Sequence, residues 1–226
     1  MEDIRKEGRT VLLVSHNMAS ILNLCPTSIL LDQGKIIKTG ASSEVVQRYV
    51  TSGYSAQAEI HWSDSDRAPG NEKVRFQSVR ILNDEGLCSY EHDIQNDIVV
   101  EMRWRNLQQG AKLYTAMNLR DQNGTVVFGA NNMPSACAHP DPLWNTPHVK
   151  GVYEVRCRIP GNLLNDGTYS IDAIVGTNVQ HTEVMIEKVL SFRVFDSGAM
   201  SKEYGGSWHG VVRVRMDWST KATSSS

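Results

Sequence analysis

The chain changes its hydrophobic pattern at about residue 73. Beyond that position apolar and polar side chains alternate with period two, which is typical of strands with one buried face. In NDIVVEMRWRN, for example, the apolar Met102 and Trp104 alternate with the polar Glu101 and Arg103. The alternation predicts a strand here and places Trp104 in the core.

The same alternation predicts further strands, and turn sequences such as NDEG and NDG separate them. In KLYTAMNLRDQNGTVVFGA, a turn at DQNG joins two alternating segments and predicts a hairpin. The other predicted strands cover residues 74–82, 151–159, 168–176, 184–195 and 211–217. Seven or eight antiparallel strands without helical periodicity between them indicate a mainly β domain, an immunoglobulin-like antiparallel β-sandwich.

Residues 1–52 follow a different, α/β pattern. The apolar run VLLV predicts a strand at residues 10–15 that is buried on both faces, followed by a helix. Strands at residues 28–32 and 35–39 and a helix that begins at ASSE come next. Residues 53–72 turn polar and rich in Gly, Ser and Asp, which is typical of a linker.

These patterns divide the chain into four parts. Residues 1–52 form a short α/β section, and residues 53–72 form the linker. The sandwich spans residues 73–218. The last residues, 219–226, have the composition STKATSSS without an apolar pattern, and we expect them to be disordered.

Composition and charge exclude several classes of function. Lys and Arg number 23, Asp and Glu number 25, and no basic block occurs, so we expect no nucleic-acid partner. No apolar run approaches the ~20 residues that span a bilayer, and no secretory signal opens the chain, which predicts a cytoplasmic location. The four cysteines form no C-x-x-C pair, and His139, Asp141 and His148 are irregularly spaced, so no metal site is expected.

The first section resembles the C-terminal end of an ATP-binding cassette nucleotide-binding domain. The resemblance lies in EGRTVLLVSHNM followed by ILLDQGKIIKTGASSEVVQRY: a strand that ends at a histidine, a hairpin with the pattern D-x-G-x-I-x-x-x-G, and a helix. It implies that His16, in an intact domain, contacts the γ-phosphate of ATP and helps to orient the attacking water. An imidazole can donate to phosphoryl oxygens where charge develops.

Three motifs of that domain are absent from the sequence: a G-x-x-x-x-G-K-[ST] loop, an L-S-G-G-Q-like signature, and an apolar run that ends in Asp-Glu. We therefore expect this chain to be the C-terminal portion of a longer ATPase subunit. By itself we expect it to hydrolyse no ATP and to need no cofactor. ATP and magnesium belong to the longer protein.

The cassette end, linker and sandwich together resemble the ATP-binding subunit of O-antigen polysaccharide exporters (Wzt-like). The sandwich stretches that carry the likeness are GNEKVRFQSVRILNDEG, PGNLLNDGTYSIDAIVG, VLSFRVFDSG and YGGSWHGVVRVRMDW. The resemblance implies a lipid-linked polysaccharide that the C-terminal domain recognises, a membrane permease as partner, and a position at the inner membrane through that permease. Teichoic-acid and capsule exporters are alternatives.

Two polar strand faces give a candidate sugar site, because sugars bind to aromatic faces and fixed polar groups. The candidate residues are Tyr114, Asn118 and Arg120 on one strand, and Glu101, Arg103 and Arg105 on the strand before it. If the two strands pair, the six side chains form one surface. The alternative is a solvated outer face with cross-strand Glu–Arg pairs.

Trp144 is a further candidate. It lies in the long loop NNMPSACAHPDPLWNTPH, and loops at the ends of a scaffold often carry binding groups. There are two alternatives: Trp144 contacts a ligand or forms part of an interface, or it anchors the loop on the edge of the sandwich.

The predicted last strand, VVRVRMD at residues 211–217, leaves two arrangements open. It pairs within its own domain, or it adds to the sheet of a second copy and makes a homodimer. A non-catalytic dimerisation or docking module is thus the alternative to glycan recognition. An independent enzyme is the least expected class, because no nucleophile, carboxylate pair or metal cluster has useful spacing.

Overall fold

The computed structural model describes most of the chain. The described residues are 11–14, 21–22, 24–32, 34–51, 58–64, 67–178, 181–198 and 208–221. They belong to two compact units, Met1–Ser55 and Ala56–Ser226. No helix within the described residues has the length and apolar character needed to cross a membrane.

The first unit contains a hairpin and a helix, as predicted. Strands β1 (Thr27–Asp32) and β2 (Lys35–Ala41) pair antiparallel, and helix α1 (Ser42–Thr51) follows. Gly34 in the connecting turn has φ +77°, a conformation that glycine adopts without strain. The buried Ser42 hydroxyl donates to the carbonyl oxygen of Cys25 at 2.5 Å, which ties the start of α1 to the chain before β1.

The strand predicted at residues 10–15 is not observed in its described part. Residues 11–14 have no regular secondary structure, and the Leu12 and Val14 side chains are 90% and 98% exposed. A strand buried on both faces requires neighbouring strands, and no described residue pairs with this segment. His16 lies outside the described residues, so its predicted role stays a prediction.

The second unit is a β-sandwich in which the described residues form nine strands. They are β3 (Glu59–His61), β4 (Val74–Leu82), β5 (Glu91–Asp93), β6 (Ile98–Asn106), β7 (Tyr114–Arg120), β8 (Val126–Asn131), β9 (Gly151–Ile159), β10 (Gly167–Asn178) and β11 (His181–Phe195). One sheet has the order β3-β4-β6-β9, and the other has the order β5-β11-β10-β7-β8. All pairs are antiparallel except β5 with β11, which is parallel.

The predicted mainly β fold is therefore confirmed, and β4 and β9 have the predicted bounds. Trp104 is buried in the core between the sheets, as predicted. Its ring stacks on Tyr153 with centroids 4.7 Å apart, and its Nε1 donates to Thr115 Oγ1 on the opposite sheet.

The described residues of the predicted linker from Glu59 onward belong to the sandwich unit. Strand β3 pairs with β4, and the Trp62 ring lies 6.3 Å from that of Phe76. Ala68 is buried. The sequence pattern did not predict this edge strand, because Ile60 is the only residue of β3 that packs against the core and its neighbours are polar.

The prediction of a strand at residues 211–217 is also wrong for the described residues. Val212 forms a single bridge with Leu164, and residues 213–221 have no regular secondary structure. The side chains of Val214, Met216 and Trp218 are exposed, the last by 90%. Alternation meets the side-chain requirement of a strand but does not supply the partner that a strand needs. Residues 222–226 of the predicted disordered tail lie outside the described residues.

Candidate functional site

The six-residue polar surface predicted from the sequence does not form. Strand β6 lies in the four-stranded sheet and β7 in the five-stranded sheet, so their polar faces lie on opposite outer sides of the sandwich. In a sandwich, consecutive strands often cross from one sheet to the other, and alternation does not reveal where. The expectation that Arg103 joins Tyr114, Asn118 and Arg120 is therefore wrong.

Asn118 and Arg120 are bound to a buried carboxylate on the neighbouring strand. Asp172 on β10 is fully buried and accepts hydrogen bonds from Arg120 Nε at 2.8 Å and Asn118 Nδ2 at 3.2 Å. Its other oxygen accepts from the backbone N–H of Lys188 at 2.9 Å, where a bulge interrupts β11. These contacts hold three strands together, which is a structural task for both side chains.

Tyr114 is buried on the same outer face and packs against Gly176, its partner on β10. A Cβ atom at residue 176 would lie 2.4 Å from Tyr114 Cε1. The phenol ring thus fills the space that a side chain at position 176 would need. The position of Tyr114 limits the ring area that a sugar could cover.

Arg103 lies on the outer face of the four-stranded sheet, beside a row of charged side chains. The buried Glu101 accepts from Arg80 Nε at 2.8 Å on one side and from Arg156 Nε at 2.9 Å on the other. Arg103 Nε lies 3.9 Å from Glu154 Oε2. The cross-strand Glu–Arg pairing that the sequence left as an alternative is observed on this face.

A cleft opens at the end of the sandwich where β4 and β9 begin and β6 ends. Its volume is about 410 Å³. The lining residues are polar except for one leucine: Glu72, Lys73, Leu107, Gln108, Gln109 and Lys150. Sequence reasoning missed this cleft, although the polar segment LQQG between two predicted strands was a usable signal.

Lys73 on the cleft wall is held by a buried carboxylate. Its Nζ donates to Glu183 Oε1 at 2.9 Å, and Asn71 Nδ2 and Thr177 Oγ1 donate to the same carboxylate at 2.9 Å each. Burial raises the pKa of Glu183, but these hydrogen bonds outweigh burial and leave the pKa below its ordinary value. The hydrogen bond with Glu183 in turn raises the pKa of Lys73, so both groups are charged at neutral pH.

The opposite wall of the cleft is fixed through Asn106. This buried side chain donates to the carbonyl oxygens of His148 and Val149 at 3.3 and 3.0 Å, and its Oδ1 accepts from the backbone N–H of Gln108 at 3.0 Å. The backbone N–H of Lys150 donates to Gln109 Oε1 at 3.2 Å. The segment that carries the two glutamines is therefore tied to the start of β9.

Trp144 is half-buried in the loop between β8 and β9, at the same end of the sandwich as the cleft. Its backbone N–H donates to the carbonyl oxygen of Asp141, whose carboxylate accepts from Asn132 Nδ2 at 2.7 Å. Asn132 Oδ1 in turn accepts from the backbone N–H of Thr115 at 3.0 Å. The loop is thus anchored on β7, and whether Trp144 contacts a ligand stays a prediction.

Of the two histidines considered as metal ligands, His148 packs in the core instead. His148 is buried, and its ring lies 6.0 Å from that of Trp104 and 4.9 Å from that of Tyr153. Within the described part of the chain, no group of three His, Cys, Asp or Glu side chains is arranged to hold a metal ion.

Comparison with known proteins identifies the family of the sandwich. The family model described as the Wzt C-terminal domain matches residues 65–214, more than half of the chain. The chain belongs to the Wzt C-terminal domain family. A crystal structure of the C-terminal domain of Wzt has the same fold, with a TM-score of 0.53 and 11% sequence identity. That alignment covers 72% of this chain and 89% of the other.

Two curated relatives have names that place this Wzt C-terminal domain in an ABC-transporter context. "Methionine import ATP-binding protein MetN" of Haemophilus ducreyi is 27% identical over 130 residues, which are 57% of this chain and 37% of the relative. "ABC transporter protein AbcA" of Aeromonas salmonicida is 37% identical over 49 residues, 22% of this chain and 16% of the relative. The chain thus spans well under half the length of either relative. The predicted resemblance to an ABC exporter subunit is confirmed.

Proposed function

We propose that the β-sandwich recognises a polysaccharide and that the ATP-binding subunit carrying it couples glycan binding to ATP-driven export. The observation that carries this proposal is the polar cleft at the end of the sandwich, with its walls fixed by Glu183 and Asn106. Membership in the Wzt C-terminal domain family supports it.

The cleft has the groups that a sugar requires. Each glutamine amide offers a donor and an acceptor, which suits neighbouring hydroxyls of a pyranose, and Lys73 and Lys150 add donors. Leu107 offers an apolar contact for the C–H face of the ring. Because Lys73 is held by a buried carboxylate, little conformational entropy is lost when it binds a hydroxyl.

The proposal extends to the longer protein. Its substrate is a lipid-linked, O-antigen-like polysaccharide of the lipopolysaccharide type, and its partner is a membrane permease that places it at the cytoplasmic side of the inner membrane. The longer protein binds ATP and magnesium and pairs as a homodimer. The present chain contributes recognition and catalyses no hydrolysis by itself.

Titration of the full chain with the polysaccharide of its source organism tests recognition. We expect saturable binding by calorimetry or tryptophan fluorescence, and no binding of an unrelated glycan. We expect Gln108→Ala combined with Gln109→Ala to weaken binding at least tenfold, because the substitutions remove both amides and their hydrogen bonds to the sugar hydroxyls. If the loop between β8 and β9 also contacts the glycan, Trp144→Ala weakens binding as well.

The matched control is Gln122→Ala, an exposed glutamine in the turn between β7 and β8 at the other end of the sandwich. Folded samples that bind neither glycan contradict the proposal. Equal losses from Gln122→Ala and from the cleft variants would show that the cleft is not the site.

Dimerisation is a second candidate function, favoured by the exposed segment at residues 213–221. Val214, Met216 and Trp218 alternate with polar residues and are exposed, so the segment is suited to strand addition by a second copy. Val214→Pro removes a backbone donor and is expected to convert a dimer to a monomer in analytical ultracentrifugation, whereas Lys221→Pro is expected not to. A chain that is monomeric at all concentrations contradicts this candidate.

A further inference from the structure

One segment of the cleft is fixed by backbone hydrogen bonds on both of its sides. The segment, residues 107–109, follows β6 and lines the cleft with three consecutive side chains, those of Leu107, Gln108 and Gln109. The backbone N–H of Leu107 donates to the carbonyl oxygen of Lys73 at 2.7 Å, and that of Gly110 donates to the carbonyl oxygen of His148 at 2.8 Å. The three side chains therefore extend from a backbone that is held in place before a ligand binds.

The Gln109 side chain presents its amide in one orientation. Its Oε1 accepts a hydrogen bond from the backbone N–H of Lys150 at 3.2 Å. An N–H donor requires an oxygen acceptor, so this contact distinguishes the oxygen of the amide from its nitrogen. The Nε2 group lies on the other side of the amide and has two N–H donors. Gln109 therefore offers a donor to a ligand in the cleft.

The two preceding residues supply what Gln109 lacks. Gln108 is exposed, and its amide oxygen can accept a hydrogen bond. Leu107 is half-buried and is the apolar residue of the lining, so part of its side chain is open to a ligand. Three consecutive residues thus offer a donor, an acceptor and an apolar contact.

The charges of the cleft are balanced. Two lysines, Lys73 and Lys150, and one glutamate, Glu72, line it. The Glu183 carboxylate accepts from Lys73 Nζ at 2.9 Å and adds a second negative charge beside the lining. Because the formal charges of these four side chains cancel, an uncharged polar group is complementary to the cleft.

An acetamido group, the N-acetyl substituent of amino sugars, requires these same three contacts. It is a trans secondary amide, so its N–H and its C=O point in opposite directions. The N–H needs an acceptor, the carbonyl oxygen needs a donor, and the methyl group needs an apolar contact. One glutamine amide cannot reach both polar groups, whereas two neighbouring glutamines can.

We propose that the cleft binds the acetamido group of an N-acetylated amino sugar in the recognised glycan. Gln108 Oε1 accepts from the acetamido N–H, Gln109 Nε2 donates to its carbonyl oxygen, and Leu107 contacts its methyl group. This proposal rests on the proposed glycan recognition and adds the substrate class. A hydroxyl in place of the acetamido group can donate to Gln108, but it does not reach Gln109 and has no methyl group.

The test is an NMR titration of the full chain with two matched pairs of sugars. The first pair is the methyl glycosides of N-acetylglucosamine and glucose, and the second is those of N-acetylgalactosamine and galactose. The sugars of each pair differ only at C2, and the two pairs differ in configuration at C4. We expect at least one acetamido sugar to shift the signals of residues 107–110 and to bind about tenfold more tightly than its hydroxyl counterpart.

Two isosteric substitutions separate the roles of the glutamines. Gln109→Glu keeps the acceptor for the Lys150 N–H but replaces the donor by a carboxylate oxygen, so we expect the preference for the acetamido sugar to be lost. Gln108→Glu makes the same charge change but strengthens the acceptor for the acetamido N–H, so we expect the preference to increase. Gln122→Glu, in the exposed turn between β7 and β8, is the control for the charge alone.

Equal binding of the acetamido and hydroxyl sugars in both pairs overturns the proposal, and so does an equal response to Gln108→Glu and Gln109→Glu. Circular dichroism confirms that each variant folds. The source polysaccharide separates this proposal from glycan recognition. If Gln108→Ala with Gln109→Ala removes its binding while neither acetamido sugar is preferred, glycan recognition stands and the acetamido proposal fails. If the folded chain binds neither the source polysaccharide nor any of the four sugars, both proposals fail.

Discussion

Trp104 Nε1 donates a hydrogen bond to Thr115 Oγ1 at 3.1 Å, and this contact joins the two sheets inside the core. Thr115→Val keeps the side-chain volume but leaves the buried indole N–H without an acceptor. We expect the free energy of unfolding to fall by about 1–3 kcal/mol. Urea denaturation measures the change, and Thr125→Val, at an exposed position, is the control. Equal stability of the two variants would contradict this role.

The Asp172 carboxylate is buried and accepts hydrogen bonds from three donors, so its replacement by an amide is costly. Asp172→Asn leaves Arg120 without its carboxylate, and we expect a loss of about 3 kcal/mol in unfolding free energy. Glu154→Gln, at a partly exposed pair, is expected to cost less than about 1 kcal/mol. Urea denaturation of both variants under the same conditions measures the two losses. An unchanged free energy of unfolding in Asp172→Asn would show that the hydrogen bonds to Asp172 contribute little to stability.

Gly176 provides the space that Tyr114 occupies. In Gly176→Ala the new Cβ would lie 2.4 Å from the tyrosine ring and 2.6 Å from the carbonyl oxygen of His181, so the strands must shift. We expect a destabilisation of about 1–3 kcal/mol. Gly40→Ala is the control, because its Cβ meets only Glu44 Oε2 at 3.7 Å. A melting temperature unchanged by Gly176→Ala would refute the close packing.

His92 makes stability depend on pH. It is buried with its ring against Phe192, and burial lowers the pKa below the ordinary 6.5, although a hydrogen bond to the Ser89 carbonyl opposes the shift. The unfolded chain therefore binds a proton more readily, so this stabilisation is complete above about pH 6.5 and is lost as the pH falls toward the folded-state pKa.

We expect the urea midpoint to decrease as the pH falls below about 6.5, and the decrease to be smaller in His92→Gln. The control is Gln122→Ala, an exposed residue that carries no titratable group and should leave the pH profile unchanged. Parallel profiles for His92→Gln and the unchanged chain would exclude His92 as the cause.

Local pattern predicted most of the strands because each strand exposes one face and buries the other. The bounds of β4 and β9 and the burial of Trp104 followed from period-two alternation alone. The same rule failed at residues 211–217, where alternation is present but no strand among the described residues pairs with the segment. It also missed β3, whose polar residues concealed a paired edge strand.

The candidate site was less predictable than the fold. Arg103, Asn118 and Arg120 were selected as polar residues on strand faces, and the structure places them on different sheets, two of them bound to Asp172. Asp172 itself is 52 residues away from Arg120 in the chain, and no local pattern links the two. The cleft likewise combines residues 72–73, 107–109 and 150.

The sequence by itself determined the mainly β sandwich, its core tryptophan, and the likeness to ABC exporter subunits, because periodicity and motifs are local properties of the chain. Only the tertiary structure decided which strands share a sheet, which charged side chains contact each other, and where the cleft lies. Those features depend on contacts between residues far apart in sequence. Such contacts form through the pairing of whole strands, and side-chain alternation carries no information about the partner.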